Sequence, residues 1–475
     1  MREIPKDQII RRLETENPWW QGKEKFPLLF KEWTPRPYLR LFLPLMMNRH
    51  VRRAVVLMGP RRVGKTVMIH HAIQHLLEKK YPPCQIIYLS VDHPLYTGLG
   101  LESLLEYYRE ATGLDYTQKE CYVFFDEIQY LKNWEVHLKA IVDSYPSVKC
   151  MVSGSAAAAL RMKSLESGAG RFTEFLLPPL TFYEYLHLLK KENLIQESQN
   201  KDGLPRFHSS RDVDSLNREF FQYLNFGGYP EAIFSEEIQA DPRRFLKSDI
   251  LDKVLLRDLP SLYGIQDIQE LNSLFTTLAY NTAGEISLED LSKSSGVSKN
   301  TIKKYMEYLE AAFLIRMVHR IDRDGRRFLR ANTFKVYLTN PSMHCALFKP
   351  VEMDREEAGP LVETAVYAQW FHVPEYPLYY ARWKRGEIDL VHQKGEKVEW
   401  AVEVKWSDRP PDDYHLLEPV IEFCHAHNLG TVLITTRRLQ TRKTIKNVQF
   451  EFIPASVYCY KLGKNLIQYK QDRSP

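Results

Sequence analysis

The sequence lacks paired cysteines and long apolar runs. Its 475 residues include 6 cysteines, and no two of them have the C-x-x-C spacing. This excludes a disulfide framework and the common zinc motifs, and it predicts free or buried thiols in a reducing compartment. The longest apolar runs, such as Ala54 to Met58, are far shorter than the roughly 20 residues that span a bilayer. The polar N-terminus predicts no signal peptide, so we expect a cytoplasmic protein without a membrane segment.

Internal repeats and low-complexity tracts are also absent, and neither sign of charge dominates. The chain is 44% hydrophobic and 26% charged, with a formal net charge of +5. This balance excludes disordered and collagen-like chains, and the length predicts about three domains. The small net charge neither requires nor excludes a nucleic-acid partner.

Apolar strands alternate with helical segments between residues 54 and 155. This alternation predicts a parallel α/β sheet. Residues 181–275 instead repeat their apolar positions at helical spacing, and we expect no strand there; the polar stretch 196–215 predicts a loop. The expected strands are 54–58, 86–91, 121–127 and 148–155, and the expected helices are 65–80, 101–111 and 133–144.

The segment from Gly59 to Thr66 matches the pattern G-x-x-x-x-G-K-[ST]. It follows an apolar strand and precedes a helical stretch, as a phosphate-binding loop requires, whereas a chance glycine-rich turn needs neither flank. Lys65 is expected to contact the β and γ phosphates, and the Thr66 hydroxyl to bind Mg²⁺. The predicted nucleotide-binding residues of the loop are Gly59, Pro60, Arg61, Arg62, Val63, Gly64, Lys65 and Thr66.

Two acids end another apolar strand, at Asp126 and Glu127, 61 residues after Lys65. Asp126 is expected to hold Mg²⁺ through water, and Glu127 to orient or deprotonate the attacking water, which suits hydrolysis of ATP. The alternative is that both acids cap the next helix. Ser153 or Ser155, at the end of the following strand, is a candidate to position the water, and a plain strand-to-helix turn is equally open.

These motifs resemble a family of bacterial and archaeal AAA-type ATPases that carry a domain of unknown function, the AAA_14 plus DUF4143 type. The resemblance covers nearly the whole chain and is most specific at GPRRVGKT, FFDEIQYLKNW, SGS, GR and LPPLTFYEYL. It implies a homo-oligomer in which a neighbouring subunit inserts an arginine at the γ-phosphate. Arg171 is the first candidate for that arginine and Arg161 the second; the alternative is local pairing with an acid.

Residues 286–311 predict a helix–turn–helix, and residues 313–327 predict the strand and turn of a wing. Lys299, Lys303 and Lys304 would face outward on the second helix and meet DNA phosphates. The alternative is a module for packing or communication. Residues 431–475 hold nine Lys and Arg against two acids, a stripe that predicts contact with a nucleic-acid backbone or else a solvated surface.

Four residues near the C-terminus form a candidate metal site. Glu363 lies in a helical stretch, Asp389 in one expected strand, and Glu403 and Lys405 in the next. Alternate residues of a strand share a face, so Glu403 and Lys405 would both point toward Asp389. Two carboxylates at that distance suit Mg²⁺ or Mn²⁺, and Lys405 would position a water or stabilise the transition state.

The arrangement of Asp389, Glu403 and Lys405, with the helical Glu363, resembles the PD-(D/E)XK nuclease class. The proline of that class is absent, since Ile388 precedes Asp389. The resemblance implies a restriction-endonuclease-like fold and cleavage of DNA at a divalent cation. The alternative is an inactive nuclease-like scaffold that only binds.

The motifs together predict a multidomain α/β protein with an AAA+-like parallel sheet and a nuclease-like α/β domain. We expect an ATPase coupled to a DNA nuclease, with genome defence implied by resemblance alone. The alternatives are an ATP-dependent switch or scaffold that binds nucleic acid or protein, and a regulator whose winged helix reads an operator. The expected domains are an N-terminal helical arm (1–50), the P-loop core (51–180), a helical lid (181–278), a winged helix (279–345) and the nuclease-like domain (346–475).

Overall fold

The computed structural model describes residues 5–154, 170–198, 207–327, 332–373 and 375–473. The chain forms two compact units, Met1–Pro178 with Tyr469–Pro475, and Pro179–Gln468. Among the described residues, no helix is both long and apolar enough to cross a membrane. The division into five domains stays a prediction.

The first unit contains a five-stranded parallel sheet in the order β2-β3-β4-β1-β5. Its central strands are buried on both faces, which is why their sequences are continuously apolar. Because the strands are parallel, their carboxyl ends meet at one edge, where ligands of such sheets bind. The strands are β1 (Ala54–Met58), β2 (Ile86–Ser90), β3 (Cys121–Asp126), β4 (Val148–Gly154) and β5 (Phe172–Leu176).

The helices of this unit follow the sequence prediction closely. The apolar faces of α1, α5 and α6 share a core with the sheet. Helix α4 begins directly after the predicted phosphate-binding loop. The helices are α1 (Lys6–Glu16), α2 (Leu28–Glu32), α3 (Leu39–Met47), α4 (Lys65–Glu78), α5 (Leu101–Thr112) and α6 (Trp134–Ser144).

The N-terminal segment covers the edge of the sheet at β2. The buried side chain of Asn17 mimics a neighbouring strand: its Nδ2 donates to the Tyr88 carbonyl (2.8 Å), and its Oδ1 accepts from the Tyr88 amide (2.6 Å). The indole nitrogens of Trp19 and Trp20 both donate to the Ile86 carbonyl. These bonds satisfy backbone groups that an open edge strand leaves exposed.

The second unit begins with helices that share one core with the predicted winged-helix segment. Two stretches, Arg243–Asp252 and Val254–Asp258, are π-helical. The α-helices after Pro178 are α7 (Phe182–Leu188), α8 (Val213–Phe226), α9 (Pro230–Phe234), α10 (Glu236–Ala240), α11 (Leu259–Tyr263), α12 (Ile268–Tyr280), α13 (Leu288–Ser295), α14 (Lys299–Ala311), α15 (Ser342–Leu347), α16 (Ala358–Trp370), α17 (Tyr414–Ala426) and α18 (Ala455–Arg473).

A nine-stranded mixed sheet runs through this unit in the order β15-β16-β14-β13-β12-β11-β9-β10-β8. Strands β9 and β11 pair in parallel, which joins the strands of the predicted wing to those of the predicted nuclease-like domain. The strands are β8 (Glu285–Ser287), β9 (Ile315–Ile321), β10 (Thr333–Leu338), β11 (Leu378–Trp383), β12 (Gly386–Lys394), β13 (Lys397–Glu403), β14 (Thr431–Thr436), β15 (Thr441–Ile445) and β16 (Val448–Pro454).

The prediction of no strand in residues 181–275 is wrong at one place. Residues Ile195–Ser198 and Phe207–Ser210 form a two-stranded antiparallel ribbon, β6 and β7. Each strand has only four residues, and the ribbon buries few of them, including Ile195 and His208. So short and polar a pattern carries little strand periodicity for sequence analysis to detect.

Candidate functional sites

The loop between β1 and α4 wraps closely around its own lysine. Gly59 packs so tightly that a Cβ there would lie 2.2 Å from the Leu177 carbonyl oxygen. Gly64 has φ 91°, a left-handed conformation that starts α4 and favours glycine. The buried Lys65 ammonium donates to the carbonyls of Gly59 (3.1 Å) and Pro60 (2.7 Å). Burial lowers the pKa of Lys65 to about 8, against the opposing attraction of the nearby carboxylates.

Asp126, at the end of β3, is the centre of a hydrogen-bond network. Its Oδ2 accepts from the hydroxyls of Thr66 (2.7 Å) and Tyr88 (2.9 Å). Its Oδ1 accepts from the Ser153 hydroxyl at the end of β4. The start of α4 and the ends of β3 and β4 therefore meet at the Asp126 carboxylate, as their positions in the sequence suggest.

Thr66 and Asp126 together offer the donor set that Mg²⁺ prefers. The ion takes oxygen ligands and keeps several waters, and a hydroxyl and a carboxylate 2.7 Å apart suit that chemistry. The residues present therefore fit a magnesium ion at this edge.

Glu127 lies directly beside this network in a left-handed conformation, with φ 55°. Its amide donates to Asp126 Oδ1 (3.2 Å) and to the Ser153 hydroxyl (3.3 Å), and the Gln129 side chain donates to its carboxylate. A glutamate rarely adopts this backbone conformation, so the surrounding bonds hold it in place. The half-buried carboxylate is thereby presented at the carboxyl edge of the sheet.

Tyr88 is the member of this site that sequence reasoning missed. It lies in the apolar run of β2, where a tyrosine signals only a core position, yet its buried hydroxyl contacts Asp126. Burial and the Asp126 charge raise the pKa of Tyr88, so the phenol remains a donor. His70, one turn after Thr66, stacks between Phe30 (3.9 Å) and Tyr88 (4.7 Å) and contacts the Thr66 carbonyl. Both His70 and its neighbour His71 are buried.

The structure describes only one of the two arginines predicted to serve a neighbouring subunit. Arg171, just before β5, forms an exposed ion pair with Asp143 of α6. This is the local pairing weighed against a role at a neighbouring subunit. Arg161 and Ser155 lie outside the described residues.

The predicted C-terminal cluster comes together in the second unit. Asp389 on β12 and Glu403 at the end of β13 are both buried. The Lys405 ammonium lies 2.5 Å from Glu403 Oε1 and 3.8 Å from Asp389 Oδ2. Lys405 follows β13, and reciprocal bonds between its backbone and the Thr435 hydroxyl hold it there. The carboxylates are tied to the backbone as well, because Asp389 accepts from the Val404 amide and its own amide donates to Glu403.

A second lysine, Lys335 of β10, enters the same cluster and was not anticipated. Its ammonium is 2.9 Å from Glu363 Oε1, 2.5 Å from Glu387 Oε1 and 3.2 Å from Asp389 Oδ1. The Tyr337 hydroxyl donates to Glu363 at 2.6 Å. Alternation along a strand places Lys335 and Tyr337 on one face, but nothing in the sequence connects that face to Asp389.

Charges in this cluster shift one another's protonation. Burial and the Asp389 charge raise the pKa values of both Glu363 and Glu403. Burial opposes ionisation of Asp389 too, but Lys335 and Lys405 outweigh it and keep the Asp389 pKa below its usual value. Asp389 is therefore the carboxylate that stays ionised most firmly.

Two carboxylates of the cluster are candidates to hold a divalent cation. In the described part of the chain, no group of three or more His, Cys, Asp or Glu side chains is arranged to hold a metal. Asp389 and Glu403 converge on Lys405, and each of their four oxygens already contacts a lysine or a backbone amide. An ion completed by water would therefore have to replace the contacts of the Lys405 ammonium. Glu363 and Glu387 are instead bound by Lys335.

Many cations expected to meet nucleic acid are bound to local acids. Arg437, Arg438, Arg442, Lys443 and Lys464 each pair with an acid of the second unit. On α14, Lys299 lies 3.5 Å from Glu289, whereas the side chains of Lys303 and Lys304 are exposed as predicted. The tail is thus less able to attract phosphate than its composition predicts.

Comparison with known families identifies part of the chain. Residues 51–186, which include the P-loop region, match the family model of an AAA domain (AAA_14). Residues 217–354 match a domain of unknown function (DUF8612). The resemblance to DUF4143 and the nuclease-like domain stay predictions.

Curated relatives are uncharacterized proteins. One from Haemophilus influenzae is 27% identical over 283 residues, which are 58% of this chain and 65% of that protein. Two from Methanocaldococcus jannaschii are 24% and 23% identical, over 56% and 71% of this chain and of their own lengths. The chain thus spans less than two thirds of the first two of these relatives.

Two solved structures are similar to part of the chain. The Walker-type ATPase PABY2304 of Pyrococcus abyssi is 16% identical, with a TM-score of 0.36, and the match covers 66% of this chain and 94% of that one. DnaA of Aquifex aeolicus bound to AMPPCP is 12% identical, with a TM-score of 0.28, and the match covers 57% and 86%.

Proposed function

We propose that the chain hydrolyses ATP at the carboxyl edge of its parallel sheet and couples this to a C-terminal nuclease site. The observation that carries the ATPase is the bond between Thr66, which starts α4, and Asp126, which ends β3. This bond brings the phosphate-binding loop and the end of β3 close enough for one Mg²⁺ ion to contact both. The match to an AAA domain over residues 51–186 supports the same activity.

The residues of the ATPase site divide the work among them. The Lys65 ammonium exchanges its carbonyl partners for the β and γ phosphates, and the loop amides of Gly59–Thr66 surround them. Glu127 accepts a proton from the attacking water, while Ser153 orients Asp126 and the Glu127 amide. Thr66 and Asp126 would hold Mg²⁺, which neutralises charge on the phosphates.

Steady-state hydrolysis and nucleotide binding test this assignment. We expect Lys65→Ala to lose both, and Glu127→Gln to keep binding but lose about 10²-fold or more in kcat, as removal of a general base predicts. Glu102→Gln, at an exposed acid on α5, is the matched control and should resemble the wild type. Wild-type turnover in Glu127→Gln would contradict the role of Glu127.

For the second unit we propose phosphodiester cleavage in DNA at Asp389, Glu403 and Lys405. Support comes from the convergence of the two buried carboxylates on one ammonium. Asp389 and Glu403 would hold Mg²⁺ or Mn²⁺, which supplies an acidified water and polarises the phosphate. Lys405 stabilises charge on the phosphate oxygens, and Glu363 orients the Lys335 ammonium toward Asp389.

A binding module is the second candidate, and one observation favours it. Lys335 already neutralises part of the carboxylate cluster, so the protein itself supplies a cation there. In that case the second unit binds nucleic acid or protein under ATP control without cutting it. Operation in a homo-oligomer and a role in genome defence belong to the same proposal and rest on resemblance. A cytoplasmic location belongs to it as well and rests on the sequence composition and the polar N-terminus.

Nicking of supercoiled plasmid separates the two candidates. Wild type, Lys405→Ala and Glu127→Gln would be compared with Mg²⁺ or Mn²⁺, with and without ATP. Cleavage that Lys405→Ala abolishes establishes the nuclease, and Glu127→Gln then gives the sign of ATP control. Lys349→Ala removes an exposed lysine of the same unit that lies outside the basic stripe of residues 431–475, and it serves as the control. No cleavage of plasmid, single-stranded DNA or RNA would leave the binding module.

A further inference from the structure

Lys335 is the most completely buried cation of the C-terminal cluster, with 4% of its surface exposed. Lysine is almost never buried to this degree unless it is paired. Here its ammonium contacts three carboxylates, those of Glu363, Glu387 and Asp389, at 2.5–3.2 Å. The three donor positions of one ammonium are thus matched to three carboxylate partners.

The two lysines divide the acidic groups between them. Lys335 contacts Asp389 Oδ1, Glu363 and Glu387. Lys405 contacts Asp389 Oδ2 and Glu403. Asp389 therefore contacts the ammonium groups of both lysines. Lys335 is supplied by β10, a strand of the predicted winged helix, while Asp389 belongs to β12 of the predicted nuclease-like domain.

Charge counting favours one added ion. The carboxylates of Glu363, Glu387, Asp389 and Glu403 carry four negative charges when ionised, and Lys335 and Lys405 return two. Arg382 lies 3.6 Å from Glu387 and screens it further from the solvent side. The remainder matches at most one divalent cation.

Space excludes a second ion on the Lys335 side. Divalent cations bind carboxylate oxygens at about 2.0–2.6 Å. An ion placed among Glu363, Glu387 and Asp389 would coincide with the Lys335 ammonium, which already lies within 3.2 Å of all three and belongs to a side chain that is only 5% exposed. The Lys405 ammonium also contacts Asp389 and Glu403, but its side chain is 36% exposed and has room to withdraw when an ion binds there. Phosphodiester-cleaving sites with two metals need their ions about 3.5–4 Å apart, and here the second position is already occupied.

We propose that Lys335 is a built-in cation of this site: it takes the place of a second metal and limits the site to one divalent ion. The inference rests on the proposed metal-dependent function of the second unit. Lys335 acts through Asp389 and is a positioning residue, and Glu363 is its anchor rather than a metal ligand.

Counting bound Mn²⁺ by electron paramagnetic resonance tests this in the full chain without nucleotide, because the proposed Thr66–Asp126 site needs the substrate phosphates to complete it. We expect one Mn²⁺ per wild-type chain and two per Lys335→Met chain, because three carboxylates lose their ammonium. Lys443→Met, which removes an exposed lysine, should still bind one. Two ions in the wild type, or one in a folded Lys335→Met, would overturn the inference.

Substitution of the acids gives a second test that does not need Lys335 to be replaced. Glu363→Gln should leave the Mn²⁺ affinity within about twofold of wild type, whereas Glu403→Gln should weaken it at least tenfold. An equal loss in both variants would make Glu363 a ligand and overturn the inference. A wild-type chain that binds no Mn²⁺ would instead refute the proposed metal site itself, and with it the premise.

Discussion

At the scale of single residues, Asp126 shows how one carboxylate can organise a site. Four groups donate to it: the hydroxyls of Thr66 in α4, Tyr88 in β2 and Ser153 in β4, and the Glu127 amide just after β3. Such a network is buried and fully bonded, and therefore rigid. The carboxylate is thus oriented before any ligand arrives, which lowers the cost of binding one.

The Tyr88 hydroxyl predicts a specific defect. In Tyr88→Phe, Asp126 Oδ2 loses one of its two hydroxyl donors, so its orientation is less well defined. We expect the Mg²⁺ concentration for half-maximal ATP hydrolysis to rise several-fold, with kcat at saturating Mg²⁺ close to wild type. Tyr81→Phe, whose hydroxyl contacts Tyr122 instead, is the control. A kcat loss that Mg²⁺ cannot restore would contradict this role.

The lowered pKa of Lys65 predicts a pH dependence of nucleotide binding. Burial brings this pKa to about 8, so the ammonium is mostly charged at pH 7 and mostly neutral at pH 9. Phosphates bind the charged form, and the ATP affinity should fall about tenfold from pH 7 to 9. A fluorescent ATP analogue would measure it, with Lys65→Arg as a control, since arginine stays charged throughout. Identical pH profiles for both proteins would refute the assignment.

At the scale of elements, the N-terminal segment completes the parallel sheet without adding a strand. Asn17 pairs with both backbone groups of Tyr88, and two tryptophans donate to Ile86. The sequence predicts a helical arm over residues 1–50 but not the strand that it contacts. Its placement on β2 explains how an otherwise open edge is protected from pairing with other chains.

Removal of the Asn17 side chain should therefore destabilise the first unit. Asn17→Ala leaves the amide and carbonyl of Tyr88 without these partners in a buried position. We expect a loss of about 1–3 kcal/mol in the free energy of unfolding, measured by urea denaturation, and more aggregation. Asn300→Ala on the exposed surface of α14 is the control. Equal stability of both variants would show that the edge contact contributes little.

At the scale of the whole molecule, substitution of Arg171 tests whether ATP hydrolysis depends on assembly of several subunits. If Arg171 serves a neighbouring subunit, Arg171→Ala should lower kcat at least tenfold at protein concentrations where the wild type is assembled. Asp143→Ala is the matched control, because it removes the same ion pair but keeps the arginine. Equal losses in the two variants would leave Arg171 a local structural role.

Sequence patterns predict much of the first unit because its signals are local. The order of strand, glycine-rich loop and helix sets the position of Lys65 and Thr66, and parallel strands bring their carboxyl ends together. The acids Asp126 and Glu127 therefore lie where their strand ends, as predicted. The two strands Ile195–Ser198 and Phe207–Ser210 were missed because they are too short for periodicity to distinguish them from a loop.

The sequence by itself determined which residues are candidates for chemistry: the Gly59–Thr66 loop, the Asp126–Glu127 pair, and the Asp389, Glu403 and Lys405 spacing. Only the tertiary structure decided their partners. Tyr88 reached Asp126, and Lys335 reached Asp389, through pairings between elements far apart in the chain. Periodicity records which face a side chain occupies, but not which distant strand lies opposite it. A buried charge finds its partner only through that distant strand, and this is why Lys335 was not predicted.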